Sequence, residues 1–192
     1  MNDGREIVAG NVRKQFVNNN EGKLAMLAMV WNMDMPLTMK NKLIVSITGQ
    51  LMSNELLNSV REDEGAAYSP YSVGYIDRTY KDNATIQTSF GLNPDKYKTS
   101  ETATIKSLEK LSKDIPVAEL KKMQEYMLKS YDENIVENGY WLGVLESYVV
   151  DGEDMYTGYK KAVEELTVGD IENFVDKLIK SENRFEILML PE

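Results

Sequence analysis

Between Ala84 and Leu92 the apolar side chains recur at every second position, whereas Ile171, Phe174, Val175, Leu178 and Ile179 recur at i, i+3, i+4, i+7 and i+8. The first period belongs to a strand with one buried face, the second to a helix with one buried stripe. Segments of the two kinds come in blocks along this chain, and that ordering limits the fold more than any single residue does. "REIVAGNVRKQF" reads as a first strand or extended lead-in. "KLAMLAMVWNM", almost wholly apolar over residues 24–31, reads as a strand covered on both faces, with its methionines and Trp31 in the core. Residues 18–22, "NNNEG", make a turn by composition.

Pro36 and Thr38 open a long helix with a stripe at Leu43, Ile44, Ile47 and Leu51, extended by Leu56, Leu57 and Val60. Gly65 is placed to end it in a left-handed cap. A hairpin follows. "YSVGYIDRTY" leads through "KDN" into a strand that buries Ala84, Ile86, Thr88, Phe90 and Leu92 and wets Thr85, Gln87 and Ser89. Asn93-Pro94 starts a helix carrying Ile105, Leu108 and Leu111, and Pro116 another carrying Leu120, Met123, Met127, Leu128 and Tyr131. "ENGYWLGVLESYVV" reads as a strongly apolar helix with Trp141 in the core, "DGED" as a loop and "MYTGYKKAVEEL" as a short helix. Thr167 and Asp170 resemble a capping box, and "RFEILMLPE" is a closing strand stopped by Pro191. Strands and helices separate instead of alternating. The expected fold is therefore α+β: one domain over residues 1–192, a two-layer sandwich of a mostly antiparallel sheet with helices on one face.

Composition removes several functions. The 192 residues carry a net charge of −9 and a pI near 4.7, which argues against nucleic acid as a partner because phosphate binding needs clustered Lys and Arg. No apolar run is long enough to span a bilayer, and the first residues lack the apolar segment of an export signal. There is no cysteine, which excludes thiol chemistry, and no histidine. Without either, a zinc site would have carboxylates alone, and triads with a His base are impossible. The acidic runs "REDEG" and "DGED" lack the ligand spacing of a calcium loop, and "SVGY" and "ENGYWLG" match no phosphate-binding glycine pattern.

One corner remains. Arg61 falls in the last turn of the long helix beside Glu62, Asp63 and Glu64, which crowd the negative end of its dipole. Tyr68 follows three residues after Gly65, and a helix that reverses into a strand brings such flanking residues near one another. A guanidinium can bind a peptide carbonyl or carboxylate, and a phenol can donate to an oxyanion. A local salt bridge and a packed tyrosine account for the same pair.

The segment "LLNSVREDEGAAYS", set between an amphipathic helix and a hairpin, resembles the signature of the non-catalytic domains of the insulinase/pitrilysin zinc metallopeptidases. "VRKQFVNNNEGKLAMLAMVW", "IPVAELKKMQEYMLKSY" and "LTVGDIENFVDKLIKSENRFEILMLP" are similar to that family's lead-in strand, middle helix and closing helix and strand, so the resemblance runs from about Val12 to Pro191. It implies one of four homologous α+β domains, on one chain or shared by two subunits, enclosing a chamber. The first such domain holds zinc through an inverted H-x-x-E-H motif and a distant Glu. The last contributes an arginine and a tyrosine seven positions apart, which Arg61 and Tyr68 match. These would bind the substrate backbone and support the tetrahedral intermediate. The histidine-free chain thus resembles the last domain, with no cofactor of its own. Zinc is expected in a partner domain, the partner being the zinc-bearing N-terminal half of the same polypeptide or a partner subunit, and a peptide is the substrate. The bacterial periplasm is favoured over the cytoplasm for the parent protein. The alternatives are a structural or assembly subunit of an inactive homologue and an independent binding module.

Overall fold

The strands and helices read from the two periodicities are all present in the computed structural model, which describes residues 9–18, 23–63, 67, 69–77, 82–152 and 154–192. Their order is β1 (Asn11–Asn18), β2 (Ala25–Asp34), α1 (Met39–Leu56), β3 (Tyr71–Asp77), β4 (Asn83–Leu92), α2 (Tyr97–Leu111), α3 (Val117–Asn134), α4 (Asn138–Asp151), α5 (Tyr159–Glu164), α6 (Val168–Lys180) and β5 (Arg184–Pro191). The strands form one sheet in the order β1-β5-β2-β4-β3, in which only the β1–β5 pairing is parallel. Helices α1, α2 and α6 cover one face and bury Leu27, Met29, Ile86, Leu92 and Leu188 against Ile47, Leu108, Ile171 and Leu178. The expected α+β sandwich is the observed one.

Local chemistry sets the helix starts. The Thr38 hydroxyl accepts from the Asn41 amide at 3.2 Å, satisfying an amide that α1 cannot pair internally. At α6 the Thr167 hydroxyl accepts from the Asp170 amide at 3.1 Å, while the Asp170 carboxylate accepts from the Thr167 amide at 3.0 Å, completing the capping box. Asn93 caps a short 3-10 turn, Pro94–Lys96, that leads into α2.

Helix α1 lies directly on the backbone of β3. A methyl group on Gly74 would press on the Val45 carbonyl carbon at 2.8 Å, and one on Gly49 on the Val73 carbonyl carbon at 2.7 Å. One turn further along α1, the Ser53 hydroxyl accepts from the Ser72 amide at 2.8 Å and donates to the Ser72 carbonyl at 2.9 Å. Two glycines and a serine thus replace side-chain packing with backbone contact.

Several expectations need correction. Strand β2 is not covered on both faces. Ala25, Leu27, Met29 and Trp31 are buried, but Ala28 and Val30 are half-buried and Met26 is exposed, because no described element covers the second face of the sheet. Met26 is therefore not core filling. Thr85, expected in water, is buried, with its hydroxyl 3.3 Å from the Asn83 side-chain oxygen. Trp141 is exposed, and none of the described side chains of α4 is buried; the helix is attached by aromatic edges instead of entering the core. The turn expected beyond Asn18 and the Gly65 cap lie outside the described residues.

Edge strand β1 is tied down by charge. Arg13 reaches the buried Glu186 of β5 at 3.1 Å and Glu101 of α2 at 3.3 Å. Burial, reinforced by the Glu101 carboxylate, raises the Glu186 pKa above its ordinary 4.5, and Arg13 and Arg184 offset this only in part.

Two outcomes follow from this packing. Gly74→Ala is expected to cost about 3 kcal/mol in urea unfolding, whereas Gly143→Ala, where a methyl meets nothing, should add up to about 1 kcal/mol. The native state also holds the Glu186 proton more tightly than the unfolded chain does. Relative to Glu186→Gln, the natural chain should therefore gain stability as pH falls from 7 toward 4.5, measured by thermal melts at several pH values. A difference between the two that does not change with pH would remove this assignment.

Candidate functional site

Helix α1 does not stop where its α-helical hydrogen bonding ends. It continues without a break into a π-helical segment, Leu57–Asp63, which contains Arg61. π-Helix is a small fraction of known structure and recurs at functional positions. Nothing in the sequence announces it, because its composition is that of an ordinary helix end. The side chain of Arg61 and the whole of Tyr68 lie outside the described residues, as does Gly65.

The flanks of this corner are firmly placed. Leu56 and Val60 are buried in the core on the helix side. On the other side Ala67, also buried, forms an isolated bridge with Leu92 at the end of β4. The Ser53–Ser72 hydrogen bonds then hold the returning chain against α1. Arg61 and Tyr68 therefore belong to a connection whose two ends are tied to one sheet and one helix.

Glu55 of α1 and Ser59 of the π-helical segment line one side of a cleft of about 560 Å³ whose other wall is α2. Ser59 faces Ser107 across it, their hydroxyls 2.8 Å apart. Lys110 pairs with Glu55 at 2.9 Å, leaving Lys98 and Lys106 on the same lining. In an acidic chain this is a local concentration of positive charge beside the Arg61 segment, and spacing along the sequence did not reveal it.

The donor set does not suit zinc. The chain has no histidine or cysteine, and among the described residues no three acidic side chains come together to hold a metal. Among the same residues no helix is long and apolar enough to cross a membrane. Tyr71 and Tyr75 are exposed on the open sheet face.

The model of the peptidase M16 inactive domain matches residues 4–127, a span that includes both Arg61 and Tyr68. A search of the curated proteins gave no match. Among solved structures, a point mutant of the ferredoxin protease FusC, in complex with Arabidopsis ferredoxin, superimposes with a TM-score of 0.82 at 16% identity, over 96% of this chain and 21% of its own. A protease from Helicobacter pylori gives 0.81 at 18% identity, over 95% of this chain and 45% of its own. The periplasmic protease PqqL from Escherichia coli gives 0.81 at 18% identity, over 98% and 21%. The chain thus spans less than half the length of each of these neighbours, and at such identities the likeness is one of fold.

Proposed function

Because the chain belongs to the peptidase M16 inactive-domain family, the insulinase-like proteases that its sequence resembles, we propose that it forms part of the substrate chamber of a zinc metalloendopeptidase and holds the peptide backbone through Arg61 and Tyr68. It is a non-catalytic peptidase domain. One observation carries the finer reading: the family match spans the Arg61–Tyr68 pair in a chain that has no histidine with which to bind zinc itself. Zinc then belongs to the N-terminal half of the same polypeptide or to a partner subunit.

In this reading the Arg61 guanidinium donates to peptide carbonyls and fixes the strand being cut. The Tyr68 phenol donates to the oxyanion that develops at the scissile carbonyl, and such a donor counts most where charge appears only in the transition state. The buried flanks at Val60 and Ala67 support the role, because they tie the chain on either side of the pair to the core. The open sheet face, with Tyr71 and Tyr75, would form the adjoining wall. A periplasmic parent is part of the same proposal.

A second reading, a structural or assembly subunit of an inactive homologue, draws on the exposed apolar helix α4. The two separate in the complete peptidase. A hydrogen bond to a charged group contributes roughly 1.5–3 kcal/mol, so Arg61→Ala should lower kcat/KM about ten- to hundredfold. Tyr68→Phe should lower kcat with little change in KM. Wild-type kinetics in both variants would reject the assigned roles.

A further inference from the structure

Helix α2 has a second ordered face. Thr99, Thr102, Ala103, Lys106, Ser107 and Lys110 recur at i, i+3, i+4, i+7, i+8 and i+11, a spacing that sets all six on one side of the helix. In α6 such spacing carries the buried apolar stripe. Here it carries hydroxyls, an alanine and two ammonium groups, and it lines the cleft of about 560 Å³ opposite Glu55 and Ser59. Lys98, at the start of α2, completes the lining. Three lysines thus stand against one glutamate in a chain whose net charge is −9.

The fold does not use up these charges. Lys110 holds Glu55 at 2.9 Å, which shows how a carboxylate seats on this lining. Lys106, one turn earlier on the same face, makes no ion pair among the described residues. Among the same residues Lys98 has only the Tyr97 ring, 5.8 Å from its ammonium. Both lysines are exposed. At the floor the Ser59 and Ser107 hydroxyls lie 2.8 Å apart, and Ser107 is 2% accessible. One of their two hydrogens closes that contact, and the other is left to donate. Donors therefore outnumber acceptors here, and the chemistry that complements them is an anion.

The layout favours an extended anion. Lys98 and Lys106 are eight residues apart on α2, about 12 Å along its axis. A peptide strand advances about 3.3 Å per residue, so acidic side chains three or four residues apart match the two ammonium groups. A compact anion meets both only if the two lysines fold toward each other. We infer that this cleft binds acidic side chains of an extended peptide and, resting on the function proposed above, that the peptide is the substrate of the complete peptidase. Ser59 stands two residues before Arg61 in the same π-helical segment, so the cleft adjoins the chain that carries the arginine.

The complete peptidase is given two fluorogenic peptides, one with Glu at every third position and one with Gln at the same positions. The natural protein should prefer the acidic one. Lys98→Gln combined with Lys106→Gln should raise KM for the acidic peptide at least about fivefold, with kcat unchanged, and leave the Gln peptide unaffected. Lys113→Gln combined with Lys121→Gln removes the same charge from exposed positions outside the cleft, and should change either KM less than about twofold. Fluorescence anisotropy of the two peptides, labelled, reads affinity on the same proteins without turnover. Equal effects of the two double variants, or equal losses for the two peptides, would overturn the inference, as would inorganic triphosphate binding more tightly than the acidic peptide. If affinity follows the cleft lysines in a protein without peptidase activity, acidic recognition stands and the proposed function falls. If Arg61→Ala cuts kcat/KM while the cleft double variant behaves as the natural protein, the proposed function stands and the cleft's role falls.

Discussion

The contact between Gly49 and Gly74 is the constraint on which the rest of the molecule depends. With no side chain on either glycine, α1 approaches β3 until backbone meets backbone, and the Ser53–Ser72 hydrogen bonds lock the register. Ile47 and Leu51 then reach the sheet, and the helix end arrives beside the end of β4, where Ala67 bridges Leu92. Moving α1 outward by even a methyl radius would open voids along the core and displace the corner that carries Arg61. Interiors packed to crystal density transmit such a shift instead of absorbing it.

The two faces of the sheet divide the labour. Beneath α1, α2 and α6 the side chains are closely packed and mostly aliphatic, with Glu186 as the buried carboxylate, answered by Arg13. The opposite face, which no described element covers, is mixed, from Met26 to Tyr71 and Tyr75. The open sheet face and the exposed apolar helix α4 both belong to a chain of the peptidase M16 inactive-domain family.

Much of this is legible in the sequence. The alternation from Ala84 to Leu92, the capping box at Thr167 and Asp170, and the stripes of α1, α3 and α6 are short-range signals that tertiary packing did not override. Failures came where hydropathy had to stand in for location. An apolar residue reads the same whether it enters a core or an interface, so Trp141 and Met26 read as inward and lie outward. Thr85 failed in the opposite direction, since a hydroxyl with a neighbouring acceptor can be buried. The lysine-lined cleft unites residues from α1 and α2 that are distant in sequence. For the Arg61–Tyr68 pair, the periodicity rules had nothing to offer; only family resemblance singles it out.

The widened turn at Leu57–Asp63 has a further consequence. A π-helical stretch takes more residues into each turn than the α-helix it follows. Deleting one residue there would let the helix close its ordinary ladder and shorten, by one residue or about 3.5 Å of reach, the chain that must arrive at the Ala67–Leu92 bridge. The number of residues between the end of α1 and that bridge, and not their side chains, therefore limits how far the returning chain can shift.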